Sequence, residues 1–226
     1  MNESQVKEFY SELKFPGPYS IEDLSFYDQG IYNNYLYMFD NQIKNAKTVL
    51  DVGCGSGFIV NLLARRYPNI KFVAVDFSNS INYARNFSQS HGITNITYYN
   101  ENFLNWNANQ TFDIVICNGV LHHIPEYELA LNKIKTLADS KIIIGIYNSF
   151  GKIAKKYWPV MYKNDILYQD QEHCPFEISF THKQFKNLFK EYQLLSTYPG
   201  YKNHLVDFYS LFNYINGGLV VYTFSK

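Results

Sequence analysis

Short apolar runs alternate with segments of helical length between Lys47 and Tyr147. Five runs have the length of strands, and four of them are rich in Val, Ile or Phe: Thr48–Val52, Lys71–Val75, Asn95–Tyr99, Phe112–Cys117 and Lys141–Tyr147. The intervening helical segments are Phe58–Arg66, Ser78–Ser90 and Glu126–Leu137. Ser78 is the predicted N-cap of the second helix, and Gly92 lies just beyond its end. Such alternation is typical of right-handed βαβ units and predicts a largely parallel sheet.

The chain is less regular on both sides of this core. Residues 1–45 are aromatic and interrupted by Pro and Gly, with an amphipathic helix predicted near Ile31–Ile43. Residues 149–180 lack a clear period, which predicts an excursion over the top of the sheet. Residues 1–45, as an N-terminal cap segment, and the excursions 149–180 and 199–217 are expected to cover a pocket at the edge of a single domain that spans residues 1–226 and has its core at 46–148.

One further helix and two strands are predicted near the end of the sequence. The helix is Thr181–Phe189, with Thr181 as its N-cap. The strands are Gln193–Tyr198 and Leu219–Phe224. Because Leu219–Phe224 alternates in polarity, it is predicted to be an antiparallel edge strand.

The strongest chemical signal follows the first predicted strand, in Val49-Leu-Asp-Val-Gly-Cys-Gly-Ser-Gly57. An apolar strand runs into a loop with alternate glycines, and a helix begins directly behind it. Glycine lets a ligand approach the backbone, and the helix start presents free N–H groups and a positive dipole end. The carboxyl end of the first strand is also the expected ligand crevice of an open parallel sheet.

The spacing of the glycines helps to identify the ligand. A dinucleotide fingerprint requires G-x-G-x-x-G. Here the loop reads G-x-G-x-G, and Phe58 occupies the place of the third glycine, which disfavours an NAD-linked oxidoreductase. Asp51, two residues before the first glycine, can accept a hydrogen bond from the loop or from a ligand amine.

An acidic residue follows the second predicted strand. Asp76 is placed to accept hydrogen bonds from both hydroxyls of an adenosine ribose. An aspartate before a helix that starts with Ser is also a common turn or cap residue. One βα unit after a Gly-rich loop, however, ribose binding becomes the more specific interpretation.

Two more motifs follow the third and fourth strands. In Tyr99-Asn-Glu-Asn-Phe103, a polar side chain could meet an adenine amino group and the aromatic ring could cover the base. A plain solvated loop is the alternative. The segment Phe112-Asp-Ile-Val-Ile-Cys-Asn-Gly-Val-Leu-His-His-Ile-Pro125 is predicted to be a buried strand followed by a turn, a histidine pair and a helix start.

These motifs resemble those of the class I S-adenosylmethionine (SAM)-dependent methyltransferases, in their small bacterial-type branch. VLDVGCGSG is similar to the first motif of that family, VAVDFS to its ribose-binding motif and FDIVICNGVLHHIP to its fourth-strand motif. IIIGIYNSFGK resembles a subgroup whose fifth strand ends in Tyr-Asn. The resemblance covers residues 47–150 and implies a Rossmann-like α/β fold: a mostly parallel seven-stranded sheet, helices on both faces and an antiparallel last strand. One departure is Leu137-Ala-Asp-Ser-Lys141, where the family usually has a Pro-Gly-Gly turn.

The resemblance also implies a cofactor, SAM, and its product, S-adenosylhomocysteine (SAH). Asp51, Gly53 and Gly55 would border the methionine part of SAM, and Asn118 would lie near the sulfonium. Cys54, between the two glycines, is counted with them.

For the adenosine half, the resemblance implies a second group of residues. Asp76 would bind the ribose, and Phe77 beside it is counted as a cofactor-binding residue. Glu101 or Asn102, together with Phe103, would serve the adenine.

The histidine pair has two interpretations. His122 or His123 could act as a general base or position the acceptor, since imidazole titrates near neutral pH. Alternatively, one of them could be bonded into the turn as a structural residue. Tyr147 could contribute to catalysis or simply close the crevice. His173 and Cys174 lack partners at metal-ligand spacing, so an ordinary loop and no metal site are expected there.

Composition narrows the class of acceptor. Lys and Arg number 20, as do Asp and Glu, so the chain has no net charge that would attract nucleic acid. Three separated cysteines and the absence of a signal-like or membrane-spanning run predict a cytoplasmic protein without disulfides. We expect a small or medium organic methyl acceptor, no binding to nucleic acid or membrane, and a monomer or homodimer. An RNA or protein methyltransferase, or a SAM-binding subunit without turnover, are the alternatives.

Overall fold

The structure is a computed structural model that describes residues 3–13, 17–28, 34–150, 174, 176–198 and 219–226. The helices described are α1 (Glu3–Leu13), α2 (Ile21–Asp28), α3 (Asn34–Ile43), α4 (Phe58–Arg66), α5 (Ser80–Ser90), α6 (Tyr127–Leu137) and α7 (His182–Leu188). The strands described are β1 (Thr48–Val52), β2 (Lys71–Val75), β3 (Ile96–Tyr99), β4 (Phe112–Asn118), β5 (Ala138–Tyr147), β6 (Gln193–Tyr198) and β7 (Leu219–Ser225). None of these helices has the length and apolarity needed to cross a bilayer.

Seven strands form one sheet in the order β3-β2-β1-β4-β5-β7-β6. The pairs β1–β2, β1–β4, β2–β3 and β4–β5 are parallel, whereas β7 is antiparallel to both β5 and β6. This confirms the predicted mostly parallel sheet with an antiparallel last strand. The predicted edge position of Leu219–Phe224 is wrong, because β7 lies between β5 and β6 and is buried on both faces.

Helices cover both faces of the sheet, as predicted. On one face, α3, α4 and α5 pack over alternate strand residues such as Val49 and Ile143. On the other face, α6 and α7 pack over residues such as Leu50 and Ile144. Strands that are buried on both faces have near-continuous apolar sequences, which is why apolar runs in the sequence predict these strands.

The ends of several elements have identifiable causes. Thr181 caps α7 in a capping box with Gln184, as its predicted role requires. Ser78 is not the N-cap of α5, because the cap position is Asn79 and the Ser78 hydroxyl donates to Asp76. At the departure from the family pattern, α6 ends at Leu137 and β5 begins at Ala138 with no turn between them.

The predicted N-terminal cap segment has two structural roles. The main chain and side chains of α1 contact the start of α5, through hydrogen bonds from Ser80 Oγ to Tyr10 O (2.8 Å) and from Asn79 N to Ser11 Oγ (3.1 Å). In contrast, α3 packs on the same face of the sheet as α4 and α5, where Phe39 is completely buried. Most of the predicted excursions 149–180 and 199–217, including His173, lies outside the described residues.

Candidate active site at the carboxyl edge of the sheet

The Gly-rich loop lies between the end of β2 and the turn after β4. Gly53 has φ +71° and donates its N–H to Val75 O at 2.7 Å. A Cβ at this position would overlap the side chain of Val120. Only glycine, which has no Cβ, tolerates both this left-handed conformation and this close contact. The loop can therefore lie directly against Val120.

Asp76 connects the first two strand ends. Its Oδ2 accepts a hydrogen bond from Gly55 N at 2.8 Å, and its Oδ1 accepts from Ser78 N at 2.8 Å and from Ser78 Oγ at 2.6 Å. The side chain is only 8% exposed, and burial raises the pKa of its carboxyl group. The structure therefore brings the predicted ribose-binding carboxylate to within hydrogen-bond distance of the Gly-rich loop.

A second carboxylate, that of Asp51, lies near Asp76 at the end of β1. Burial, reinforced by the negative charge of Asp76, raises the pKa of Asp51 to about 7. The same burial, together with both carboxylates, raises the pKa of the Cys54 thiol well above its usual value. Two buried carboxyl groups this close together favour the binding of a positively charged ligand.

The loop after β3 is attached to the loop after β2 by a residue that sequence reasoning did not select. Asn100 Nδ2 donates to Asp76 O and to Ser78 O, both at 2.9 Å. Glu101 is exposed at this edge, and Asn102 Oδ1 accepts from Leu104 N at 2.8 Å. Asn100 thus brings the adenine candidates beside Asp76.

The two aromatic candidates differ in accessibility. Phe103 is only 6% exposed and packs in the core on the face of the sheet that α6 and α7 cover. Phe77, directly after Asp76, is half-buried. Of the two rings, Phe77 therefore has the more accessible surface at the carboxyl edge.

The fourth motif closes the other side of the Gly-rich loop. Asn118 ends β4 opposite Gly145 of β5, and a Cβ on Gly145 would overlap Asn118 Oδ1. Gly119 N donates to Gly145 O at 3.0 Å, which completes the turn. Since Ile116 of β4 pairs with Asp51 of β1, Asn118 lies two residues beyond the level of the buried carboxylate.

The histidine pair occupies the turn Leu121–His123 next to the end of β5. The His122 ring is fully buried, with its centroid 4.2 Å from that of Tyr147 and 4.1 Å from that of His123. His123 Nδ1 lies 3.0 Å from Phe176 O. Because a carbonyl can only accept, this contact assigns the proton to Nδ1 and the ring lone pair to Nε2.

Two partners of His123 come from distant segments and were missed by sequence reasoning. Cys174 Sγ lies 3.3 Å from His123 Nδ1, and Tyr10 Oη donates to Cys174 Sγ at 3.7 Å. The Tyr10 and His123 ring centroids are 5.5 Å apart. No local pattern marks either residue, since the contacts join α1, the turn after β4 and the chain near residue 174. Cys174 therefore has a defined contact where only an ordinary loop was expected.

The described residues contain no group of three or more His, Cys, Asp or Glu side chains that could hold a metal ion. The carboxyl edge instead unites a Gly-rich loop, two buried carboxylates and a histidine.

Comparison with known proteins identifies the fold and the family. A family model described as "Methyltransferase domain" matches residues 43–193, more than half of the chain. Pavine N-methyltransferase of Thalictrum flavum subsp. glaucum is 27% identical over 153 residues, which are 66% of this chain and 42% of that protein. Ribosomal RNA small subunit methyltransferase C of Buchnera aphidicola is 30% identical over 173 residues, 72% of this chain and 43% of that protein. The chain thus spans less than half the length of each of these curated relatives.

Solved structures give the same fold. The magnesium protoporphyrin IX methyltransferase of Synechocystis PCC 6803 with bound SAH has a TM-score of 0.66 at 13% identity, with both chains covered completely. The site fits this kind of cofactor on its own chemistry, since the loop has no room for a Cβ at Gly53 and the buried acid suits a sulfonium cation. This chain therefore belongs to the methyltransferase-domain family and has the class I methyltransferase fold.

Proposed function

We propose that this chain transfers the methyl group of SAM to a small or medium organic acceptor. When bound, SAM supplies a methyl group already activated on a sulfonium, open to in-line displacement by an O, N, S or C nucleophile. The chain's own task is then to align the acceptor, exclude water and receive any proton released. The observation behind this proposal is the meeting of Tyr10, His123 and Cys174 beside the cofactor motifs.

In this proposal the Gly-rich loop and Asp51 hold the methionine part of SAM, and Asp76 holds the ribose. Asp76 already accepts three hydrogen bonds, yet a carboxylate offers about four acceptor positions, so it can still bind a hydroxyl. Glu101 and Asn102 face the adenine from the loop that Asn100 attaches to Asp76. Asn118, the last residue of β4, would lie near the reacting sulfonium.

His123 is the proposed general base of the pair. The Phe176 carbonyl holds its proton on Nδ1, which leaves Nε2 to accept a proton from the acceptor. His122 is fully enclosed between the rings of His123 and Tyr147, which suits a structural role. Tyr147 is buried at the same edge and packs on His122, so it supports the turn.

The surroundings of His123 favour an organic acceptor over a polyanion. Its described neighbours are a tyrosine, a thiol, a main-chain carbonyl and aromatic rings. The pavine and magnesium protoporphyrin relatives are named for small acceptors, which agrees with this choice. The ribosomal RNA relative supports the alternative of an RNA acceptor, so RNA belongs among the substrates to be tested.

The test is transfer of labelled methyl groups from SAM to a panel of amines, phenols, carboxylic acids, thiols and ribosomal RNA. We expect labelled product from at least one small organic acceptor, identified by mass spectrometry. Label found only in RNA would establish the alternative acceptor class. Tight SAM binding with no transfer to any acceptor, including those in a cell extract, would indicate a binding subunit instead.

His123→Asn tests the proposed base, with His122→Asn as its matched neighbour. Asn keeps a donor toward Phe176 O but lacks Nε2, so kcat should fall by about 10²–10⁴-fold while the dissociation constant for SAM stays nearly constant. The pH–rate profile should also lose the limb near the imidazole pKa. The His122 variant should keep that limb. Equal pH profiles in both variants and the wild type, with native melting curves, would contradict the assignment.

A further inference from the structure

Lys133 on α6 binds one turn of the chain through three main-chain carbonyls. Its ammonium donates to Phe103 O at 2.6 Å, to Leu104 O at 3.1 Å and to Trp106 O. The same Nζ lies 4.9 Å from the centroid of the Phe103 ring. A lysine has three donors and no acceptor, so three converging carbonyls can satisfy its hydrogen-bonding capacity.

Without the Lys133 ammonium, three main-chain carbonyl groups of this turn would lose a hydrogen-bond donor. Within the turn, Asn102 O accepts from Asn105 N at 3.0 Å and from Trp106 N at 2.8 Å, and Asn102 Oδ1 accepts from Leu104 N at 2.8 Å. The N–H groups are therefore used internally, whereas three carbonyls face α6. A buried carbonyl left without a donor costs free energy, so loss of the ammonium should allow the turn to rearrange.

This turn is continuous with the loop assigned to adenine. Asn100 fastens the loop to Asp76 and Ser78 at one end, and Lys133 fastens it to α6 at the other. Glu101 and Asn102 lie between these two attachments. Their position relative to Asp76 therefore depends on both.

We propose that Lys133 is a positioning residue for the adenosine half of the cofactor. It acts through the turn 102–106 and does not contact the cofactor itself. The inference depends on the proposed function insofar as Glu101 and Asn102 serve the adenine. It makes α6 part of the cofactor site, although that helix packs against the face of the sheet.

The same helix offers a matched control. Lys135 also donates from Nζ to a carbonyl, Leu188 O at 2.5 Å, and lies 4.9 Å from the centroid of the Phe189 ring. Burial lowers the pKa of both lysines. Their chemistry is alike, but Lys135 fastens the end of α7, away from the cofactor motifs.

The experiment compares Lys133→Met with Lys135→Met in calorimetric titrations with SAM, SAH and adenosine. We expect Lys133→Met to raise all three dissociation constants by about 10-fold, a typical size for residues acting through packed neighbours. Its kcat at saturating SAM should stay within about twofold of the wild type, because the reacting groups lie at other strand ends. Lys135→Met should lower the melting temperature but leave the three dissociation constants unchanged.

Conservative variants keep the test decisive. Lys133→Arg retains a cation and several donors and should recover most of the adenosine affinity. Unchanged affinity in Lys133→Met, with a melting temperature lowered as in Lys135→Met, would reduce Lys133 to a purely structural role. If Lys133→Met does not fold, Lys133→Gln, which keeps one donor, replaces it with the same expected ordering of affinities.

Glu101→Ala separates this inference from the proposed function, because the Glu101 side chain is exposed, whereas the Asn102 side chain accepts a hydrogen bond within the turn itself. If Glu101→Ala weakens adenosine binding and Lys133→Met does not, the loop serves adenine but Lys133 does not position it. If neither change affects adenosine while the wild type still binds SAM, the adenine assignment itself is wrong, and the inference fails with it.

Discussion

The carboxyl groups of Asp51 and Asp76 are both buried and close to each other, so the negative charge of Asp76 makes Asp51 harder to ionise. Burial and the nearby charge of Asp76 raise the pKa of Asp51 from 3.8 to about 7. In the unfolded chain Asp51 ionises near its ordinary pKa, so the folded state holds the proton more tightly. Its contribution to stability is therefore complete at low pH and is lost as the pH rises from about 4 through 7.

Asp51→Asn should change both stability and cofactor binding in a pH-dependent way. Without ligand, the variant should melt at a higher temperature than the wild type at pH 8, because it has no buried charge to accommodate. In wild-type protein the ionised Asp51 attracts the cationic cofactor, so SAM affinity should rise about 10-fold between pH 6 and pH 8. The Asn variant should bind more weakly and show a flatter dependence.

Calorimetry and thermal melts across this range provide the measurements. The ligand's own titration is common to both proteins, so the difference between their slopes reports Asp51. Parallel slopes for wild type and variant would show that Asp51 does not titrate near pH 7 or does not act on the cofactor.

At this scale the sequence indicated where an acid is needed but not which groups of the protein it contacts. Asp76 was foreseen because an acidic residue after the second strand has a recognised use. Its hydrogen bonds to Gly55 and Ser78 were not, and neither was the loss of Ser78 as a helix cap. One short side chain cannot serve a cap and a neighbouring carboxylate at once, and only tertiary contacts decide between them.

Among the elements, the Gly-rich loop is the most sensitive to a single added atom. Gly53→Ala introduces a Cβ against Val120 in a left-handed conformation, so the loop must move away from the turn after β4. We expect SAM affinity to fall by at least about 10-fold, because overpacking of this kind shifts the backbone. Isothermal titration with SAM measures the effect.

Gly92→Ala is the matched control for this prediction. Gly92 also has a positive φ, +67°, but nothing lies within 4 Å of an added Cβ. The substitution should cost about 1 kcal/mol of stability from backbone strain alone and leave SAM affinity unchanged. Equal loss of affinity in both variants would mean that general destabilisation, and not crowding against Val120, weakens binding.

The elements themselves were largely predictable from sequence. β1, β2, α4 and β6 have the predicted bounds, because apolar runs there are closely bordered by Gly, Pro or charged residues. The placement of β7 was not predictable in the same way. Its alternating sequence is compatible with an edge strand, and its position between β5 and β6 depends on pairing with residues that are remote in the chain.

Across the whole molecule, the balance of 20 basic and 20 acidic residues predicts weak binding to nucleic acid. The structure adds that Arg66, in the Arg65-Arg66 pair, forms an ion pair with Asp40 at 2.7 Å. We expect no submicromolar binding to RNA or DNA at physiological salt in fluorescence anisotropy. Submicromolar binding with a steep log–log salt dependence would instead support the RNA methyltransferase alternative.

At the scale of the whole molecule, the sequence could not predict the contacts between segments that are far apart in the chain. The core motifs lie within residues 47–150, and because they follow strands of a largely parallel sheet, their meeting at its carboxyl edge could be expected. Tyr10, Cys174 and Lys133 reach the site from α1, from beyond β5 and from a sheet-face helix, and no local pattern signals such encounters. The cofactor side was therefore foreseen in more detail than the acceptor side.

The position of β7 also bears on how the chain is made. Among the described strands, β6 pairs with β7 alone, and β5 has β7 as its second neighbour. During synthesis, β5 must keep an unpaired edge, and β6 lacks its described partner, until residues 219–225 have left the ribosome. An exposed apolar edge is a known route to aggregation. Chains interrupted before residue 219 should therefore be substrates for chaperones and proteases, even though every cofactor motif has already been translated.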